Sequence, residues 1–460
     1  MASKSKRARM APVRDLSKSF LYWAIGIFAL KLIIIFNIPS GTFTSGGNNY
    51  FLDGIWLGAD GENYLKGYYG LLKDGIFSTE NLLNYWPAGY PLVIYFLSFI
   101  GEGFVLNTLS ILQSLVYSFA AYFFASALIK TRLRKFAYLV FLLILLNPSL
   151  SLSSMAIGYE SLTASGYLIV LGLIIRDFVN KNEKQFLKYI LISSAIFGLM
   201  SFMQPRLILS GVLINLLWTL IRKPWKSSLL VIAASLLVTV LFPATLIVRN
   251  NQAVGVNSIS TNLGVTMNIG AGDKAQGGYA SKDVGVPCET SGSDAEKDNQ
   301  QVVCVLKWYG QNPVKAVKLF YNKTIYFWSP WQGQLANGTM ARNPWLKISP
   351  ISDIQSNSEA GAKLVQGPIG LLISWGWLLS SIGLLLYGFL TLWRLKQLEK
   401  LIGVVAMIAV ATSWGISLLT IGDHRFRLPI MGMSIFLQAV GLKTLLKGGK
   451  APIVDGPSLR

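Results

Sequence analysis

The chain has 460 residues, of which 52% are hydrophobic and only 13% charged, and its mean hydropathy is +0.49. This composition excludes an ordinary soluble protein and indicates an integral membrane protein. Lysine and arginine number 41 against 21 aspartates and glutamates, which gives a net charge of +20. The basic residues sit in short clusters between apolar runs. The positive-inside rule therefore accounts for most of the excess, and no nucleic-acid partner is predicted.

The N-terminal residues 1–19 are predicted to be cytoplasmic because residues 4–9 are strongly basic. The apolar run 20–38 that follows is too long for the core of a signal peptide and lacks a small-x-small cleavage site. It is therefore predicted to be a retained first membrane helix.

Ten apolar runs have spanning or near-spanning length. They are 20–38, 104–129, 136–152, 159–175, 189–204, 206–221, 228–248, 369–393, 401–421 and 428–446. Basic clusters follow the even-numbered runs, at 130–135, 176–188, 222–226, 394–400 and 443–450. With the N-terminus inside, all of these clusters fall on the cytoplasmic side. The sequence predicts an all-α polytopic membrane protein with about ten spans and both termini cytoplasmic.

The loops divide this chain into a membrane module at 20–248, a loop at 249–368, C-terminal helices at 369–446 and a cytoplasmic tail at 447–460. The first outer segment, 39–103, contains an apolar run that is too short to span. Residues 87–100 are therefore predicted to form a re-entrant or interfacial helix. The loop 249–368 is polar and long enough for a small extracytoplasmic subdomain.

Cys288 and Cys304 are the only cysteines, and both lie in the large outer loop. An extracytoplasmic position favours a disulfide, worth roughly 3 kcal/mol for a loop of this size. Two unpaired thiols are the alternative.

The first outer segment contains the most prominent group of acids. Asp60 opens a predicted helix from Asn63 to Lys73, which Gly75 should end. A carboxylate at a helix start is stabilised in its ionised form by the helix dipole, which suits a fixed general base. The alternative is a capping acid on a solvated surface helix.

Other charges collect at the predicted outer ends of the spans. The set comprises Glu160, Arg206, Arg249, His424, Arg425 and Arg427. Arginines at this depth run against the positive-inside bias, and a bound phosphate would account for them because the guanidinium fork matches it. The alternative is that each arginine separately reaches the lipid headgroups. One histidine and two cysteines leave no His-based cluster or zinc site, and no nucleotide-binding motif is present.

Several ordered motifs resemble those of the polytopic glycosyltransferases of the C superfamily, and especially the bacterial enzymes grouped with protein O-mannosyltransferases and aminoarabinose transferases. The motifs are 59–64 (ADGENY), 87–91 (PAGYP), 158–162 (GYESL), 248–251 (VRNN), 260–264 (STNLG), 268–270 (NIG), 277–279 (GGY) and 422–429 (GDHRFRLP). Pro205-Arg206 resembles the family's Arg-Pro turn in reversed order. The resemblance covers most of the chain.

The resemblance implies a family 39-type transferase of the plasma membrane that takes a hexose or pentose from a polyprenyl-phosphate donor on the extracytoplasmic face. Asp60 would be the general base for an inverting attack by an acceptor hydroxyl, with Glu62 as the rival base. Arg206, Arg249, Arg425 and Arg427 would stabilise the leaving phosphate, with His424 beside them. Glu160 would orient the acceptor or an arginine, and Tyr64 and Tyr90 would line the sugar pocket. The lipid tail would lie between spans near 87–100.

The acceptor implied is a glycan, a lipid or a protein, and membrane lipid surrounds the bundle. No cofactor is expected; a divalent ion shared by Asp60 and Glu62 is possible in this superfamily but not favoured. Three other functions stay open: a transporter or flippase of lipid-linked sugars, a polymerase or ligase of surface polysaccharide, and a membrane scaffold. A transporter predicts charges at the bilayer midplane, broken helices and repeated halves, whereas this sequence has rim charges and no repeat.

Overall fold

The structure, a computed structural model, describes residues 13–45, 48–57, 60–278, 284–328 and 368–451. It is almost entirely helical, as an all-α polytopic membrane protein should be, and the only strands in these ranges form the hairpin β1 (Gly41–Ser45) and β2 (Asn48–Leu52). Parts of the sequence predictions lie outside the described residues, namely the basic N-terminal segment through residue 12, Ala59, Tyr279, the loop at 329–367 and the tail from 452.

The helices in chain order are α1 (Val13–Asn37), α2 (Gly61–Asp74), α3 (Leu82–Tyr85), α4 (Gly89–Ser98), α5 (Val105–Leu128), α6 (Arg134–Leu145), α7 (Pro148–Ser153), α8 (Glu160–Asn180), α9 (Glu183–Met203), α10 (Ile208–Arg222), α11 (Trp225–Val254), α12 (Leu263–Ile269), α13 (Asp294–Gln311), α14 (Pro313–Trp328), α15 (Pro368–Trp393), α16 (Gln397–Leu419) and α17 (Met431–Leu445). Short 3₁₀ helices at Glu102–Phe104, Pro205–Leu207 and His424–Ile430 precede α5, α10 and α17.

Nine helices in the described part of the chain are long and apolar enough to cross a membrane. The third predicted span, 136–152, is the exception: it is not one continuous helix but the two short helices α6 and α7. Pro148 causes the break, because it occupies the first position of α7 and offers no amide hydrogen to continue α6. The side chain of Asn147 accepts the Leu150 amide at 3.0 Å and so caps the new helix.

The spans alternate in direction, so the bundle has two chemically different ends. We call the end that carries the clusters 130–135, 222–226, 394–400 and 443–450 the basic end, and the opposite end the site end. At the basic end, the Lys443 ammonium donates to the Lys135 carbonyl and the Arg132 amide to Glu399. Residues 134–155 run from this end to the site end, where the Trp56 amide donates to the Met155 carbonyl at 2.9 Å.

A platform of α2 and α4 covers part of the site end. Helix α2 matches the predicted helix to within two residues, and Gly75 ends it with a φ of 75°, a conformation that favours glycine. Helix α4 occupies the predicted re-entrant segment. Its 10 residues would extend about 15 Å, roughly half the hydrocarbon core. It packs on α2 and on the end of α9, where a Cβ at Gly89 would collide with the Phe202 carbonyl.

The loop after α11 folds into a small helical unit, α12 to α14, and α11 itself continues to Val254, six residues beyond the predicted boundary. A disulfide joins Cys288 to Cys304, the pair that the sequence predicts. A small apolar core beside it contains Met267, Val305, Tyr309 and Leu319. Ser293 and Glu296 form a capping box at the start of α13.

This loop unit is attached to the membrane bundle through α14 and α16. The buried Lys323 ammonium donates to the Tyr309 hydroxyl at 2.7 Å and to the Leu418 carbonyl at 2.9 Å. The Gly422 amide donates to the Gly277 carbonyl at 2.8 Å. These contacts end next to the turn 422–427, so the loop unit and the site end are packed together.

Candidate functional site

Arg425 stands at the centre of the site end, in the 3₁₀ turn before α17. Asp423 caps this turn, and its Oδ1 accepts the Arg425 amide at 2.8 Å. The Arg425 guanidinium donates from Nη1 to Oδ2 of Asp60 and from Nε to Oε1 of Glu160, each at 2.6 Å. Three residues that the sequence predicts at one membrane depth are thereby joined in one cluster.

The Asp60–Arg425–Glu160 cluster is buried, with each side chain less than a tenth exposed. Burying ions is costly unless each charge is paired and hydrogen-bonded, and the two short bonds to one guanidinium meet that requirement. Two carboxylates on one guanidinium leave one formal negative charge. Within the described residues, only Oδ2 of Asp60 has a hydrogen-bond partner, so Oδ1 is available to a ligand.

A cavity of about 850 Å³ opens beside Asp60, between the site end of the bundle and helices α12 and α13. This volume lies within the usual range for a small-molecule site. Its ionisable and hydrogen-bonding lining on the bundle side includes Asp60, Tyr64, Tyr159, Gln204 and Arg206. The rest of the lining mixes apolar residues (Ile247, Ile259, Leu263, Val265, Met267, Ile269, Ile416, Leu419 and Ile421) with polar ones (Asn257, Ser258, Ser260, Asn262, Thr266, Asp298, Asn299 and Thr420). The cavity can therefore contact both polar and apolar parts of a ligand.

Arg206 is the only arginine among the described residues that line this cavity. Its Nη2 donates to the Tyr159 hydroxyl at 3.0 Å, and its guanidinium lies over the Phe426 ring at 3.9 Å from the centroid. Gln204 donates to the same tyrosine oxygen at 2.8 Å. In the described part of the chain the Nε of Arg206 has no hydrogen-bond partner. Arg206 is thus held in orientation, and no described residue accepts a hydrogen bond from its Nη1, so this end of the guanidinium can bind an anion.

Tyr64 and Tyr90 both lie near Asp60, but only Tyr64 lines the cavity. The Tyr64 ring packs edge-on against Tyr90 at 5.0 Å and against Tyr159 at 6.3 Å. Burial raises the pKa of the Tyr64 phenol well above its ordinary value, so it is a neutral hydroxyl. Tyr90 is fully buried behind it, donates to Gln113 at 3.0 Å and accepts the Gly158 amide at 2.8 Å.

Glu62 and Arg249 lie elsewhere. Glu62 forms an i,i+4 ion pair with Lys66 at 2.7 Å, is about two-fifths exposed and does not line the cavity. Arg249 holds the segment after α2: its guanidinium donates to the carbonyls of Ile76, Leu83 and Ser78. Its hydrogen bonds to these carbonyls therefore stabilise the loop between α2 and α4.

Arg427 and His424 flank Arg425 without reaching the cavity lining. Arg427 donates to the Trp328 carbonyl at 2.9 Å and so ties the turn to α14. His424 is fully buried, and its Nδ1 lies 3.9 Å from Oδ1 of Asp423. Among the described residues, neither of its ring nitrogens has a hydrogen-bond partner.

Three residues outside the predicted set belong to this site: Tyr159, Gln204 and Asp298. Asp423, an acid of the predicted turn 422–429, joins the site because it caps the turn that carries Arg425. Tyr159 lies inside the motif 158–162, and Gln204 directly precedes Pro205-Arg206, so their sequence positions were the available signal. Burial raises the pKa of Asp423 to about 6. Asp298 comes from α13, its Oδ1 accepts the Gly264 amide at 2.6 Å, and burial raises its pKa. No periodicity in the polar loop indicated Asp298.

In the ranges that the structure describes, no group of three or more histidines, cysteines, aspartates and glutamates is arranged to hold a metal ion. No family model matches the chain, and no curated protein matches it either. The resemblance to the C-superfamily glycosyltransferases stays a prediction.

Proposed function

We propose that this protein is a membrane glycosyltransferase that moves a sugar from a polyprenyl-phosphate carrier to an acceptor hydroxyl on the extracytoplasmic face of the plasma membrane. The observation that carries the proposal is the position of Asp60: one of its carboxylate oxygens is fixed by Arg425, and the residue borders a cavity lined by both polar and apolar side chains. A lipid-linked sugar phosphate likewise combines a polar head with an apolar tail.

Asp60 is the general base in this proposal. The acceptor hydroxyl attacks the anomeric carbon of the sugar while its proton passes to Oδ1 of Asp60. The bond from the anomeric carbon to the phosphate oxygen breaks, polyprenyl phosphate leaves, and the configuration at that carbon inverts. Arg425 positions the carboxylate through Oδ2, and Glu160 holds Arg425 from its other side.

The leaving phosphate is assigned to Arg206. Negative charge develops on the phosphate as the bond breaks, and a preoriented guanidinium stabilises that charge without reorganising. Arg206 lines the cavity and its orientation is fixed by Tyr159 and Phe426. The other three arginines predicted for this role donate hydrogen bonds to protein groups. The proposal therefore names Arg206 as the residue that binds the leaving phosphate.

The experiment is release of polyprenyl phosphate by the purified protein in lipid bilayers. A panel of polyprenyl-phosphate sugars is supplied with a membrane extract as acceptor, and Asp60→Asn is compared with Glu62→Gln. These changes are nearly isosteric and lie two residues apart, but only Asp60 borders the cavity. We expect turnover with at least one donor and a loss of about 10²-fold or more in kcat for Asp60→Asn, with Glu62→Gln close to the native protein.

Three outcomes would contradict this assignment. Full activity in Asp60→Asn with loss in Glu62→Gln would make Glu62 the base. Turnover that survives in both variants would remove the general-base role from this segment. Movement of lipid-linked sugars across the bilayer without release of polyprenyl phosphate, by native protein and Asp60→Asn alike, would identify a transporter.

A further inference from the structure

A second, shallower groove of about 620 Å³ lies on the loop unit, next to the disulfide. One of its walls is a single stripe of α13, formed by Gln300, Val303, Cys304, Lys307, Trp308 and Gln311. Their spacing of three and four residues places these side chains on one face of the helix. The facing wall is the extended segment 286–289, which the disulfide holds beside α13.

The groove adjoins the cavity that contains Asp60. Asn299 lines both of them, and it follows directly after Asp298, which lines the cavity only. Asp298 is anchored through the Gly264 amide at 2.6 Å, so the start of α13 is fixed where groove and cavity adjoin. A molecule in the groove that contacts Asn299 therefore touches a residue that also borders the cavity.

The groove differs from the cavity in chemistry. It presents amide side chains at Asn299 and Gln311, the indole of Trp308, and single charges at Lys307 and Glu289. Amides donate and accept hydrogen bonds, as sugar hydroxyls do, and an indole combines an apolar face with a polar edge. A peptide that binds by strand addition needs a free strand edge, and no strand lines the groove within the described residues.

We propose that this groove is the acceptor site and that its ligand is an oligosaccharide, whose terminal hydroxyl reaches Asp60 along Asn299. The assignment of the ligand as an acceptor rests on the proposed function; the binding of an oligosaccharide by the groove does not. The disulfide fixes both walls before the ligand arrives, which reduces the entropy cost of binding.

The test measures binding without donor or turnover. Full-length protein in lipid nanodiscs is applied to an array of short oligosaccharides containing hexoses, pentoses and N-acetylhexosamines, and to an array of unmodified peptides. Trp308→Ala, Gln311→Ala and Lys307→Ala are compared with Lys318→Ala. Lys307 and Lys318 are both exposed lysines on helices of the loop unit, but Lys318 on α14 does not line the groove.

We expect the native protein to bind one class of oligosaccharide. The Trp308, Gln311 and Lys307 variants should each bind it roughly tenfold more weakly, because each loses one ring contact or hydrogen-bonding group, and Lys318→Ala should bind it as the native protein does. Since Trp308 is half-buried, the exposed Gln311 and Lys307 decide the outcome if the Trp308 variant misfolds. The proposal is overturned if no oligosaccharide binds, if binding survives in the Gln311 and Lys307 variants, or if peptides bind there instead.

Failure of the two proposals can be told apart. If the native protein binds an oligosaccharide, the groove variants lose this binding and no donor releases polyprenyl phosphate, the transferase proposal is wrong and the oligosaccharide site remains. If the groove variants release polyprenyl phosphate normally with a glycan acceptor, the groove is not the acceptor site and the transferase proposal remains. If both proposals are correct, the same variants raise the KM for the glycan acceptor and leave kcat nearly unchanged, because they remove binding that ground state and transition state share.

Discussion

Lys323 has no carboxylate partner in the described structure, although it is fully buried at the junction of α14 and α16. Its Nζ donates to the Leu418 carbonyl in the last turn of α16, where the helix dipole favours a cation. Burial acts against the charge and lowers the pKa of Lys323 from 10.5 to about 7. This amine links the loop unit to the turn that carries Arg425, so its protonation bears on how firmly the two are joined.

The lowered pKa predicts a pH dependence of stability. Between about pH 7 and 10.5 the unfolded chain binds a proton at Lys323 that the folded chain does not. The free energy of unfolding should therefore rise with pH across that window, by an amount on the order of a few kcal/mol, and stay level below it. Lys323→Met should reduce this rise by the part that Lys323 contributes. Unfolding in detergent at several pH values measures it, with Lys318→Met as the exposed control.

An equal slope in Lys323→Met and in the native protein would show that other groups cause the pH dependence. A flat native curve would mean that Lys323 keeps its proton throughout, held by Leu418 and Tyr309. Asp423 does not confuse the comparison, because its raised pKa of about 6 lowers stability only as pH rises from about 4 to 6.

At the scale of elements, Arg249 illustrates what a sequence pattern leaves undecided. From sequence alone, an arginine at the end of a membrane helix could either bind a phosphate or hold a loop through backbone carbonyls, because carbonyl acceptors occur at every residue and leave no sequence pattern. In the structure the Arg249 guanidinium donates to the carbonyls of Ile76, Ser78 and Leu83, which follow α2. The clamp holds the connection between the helix that begins at Asp60 and helix α4.

Arg249→Lys should therefore loosen this connection. A lysine keeps the charge but presents one ammonium in place of a planar fork, so buried carbonyls lose partners at about 1–3 kcal/mol each. We expect a lower melting temperature and faster hydrogen exchange in residues 75–85, with the donor KM little changed. Arg394→Lys, an exposed arginine at the basic end, should alter stability by no more than about 0.5 kcal/mol. A raised KM for the donor at normal stability would instead show that Arg249 binds the donor phosphate.

For the whole molecule, hydropathy predicted the class and most of the helices, because spanning runs and caps are local properties of the sequence. Helix α2 and the short α4 were predicted nearly residue by residue, whereas the break at Pro148 went unnoticed inside an apolar run. Charges at one depth predicted that Asp60, Glu160 and Arg425 share an end of the bundle. Their pairing, and the arrival of Asp298 from the polar loop, depend on packing between distant segments and could not be predicted.

The alternation of the spans predicts which molecules reach the two ends of the bundle. If the basic end is cytoplasmic, the cavity and the disulfide face outward. In a background with Cys288→Ser and Cys304→Ser, single cysteines are introduced by Lys297→Cys on α13 and by Lys396→Cys at the basic end, both exposed positions. A membrane-impermeant maleimide applied to intact cells should label the first, and should label the second only after permeabilisation.

The inverse labelling would place the cavity in the cytoplasm, and the donor would then have to be presented on that side. Labelling of both positions from one side would contradict the antiparallel alternation itself. Because losing the disulfide costs roughly 3 kcal/mol, the background must first be shown to keep the native melting profile apart from a modest downward shift. The native pair supplies an independent reading: without reduction neither Cys288 nor Cys304 should react, and after reduction an impermeant reagent should reach both from outside.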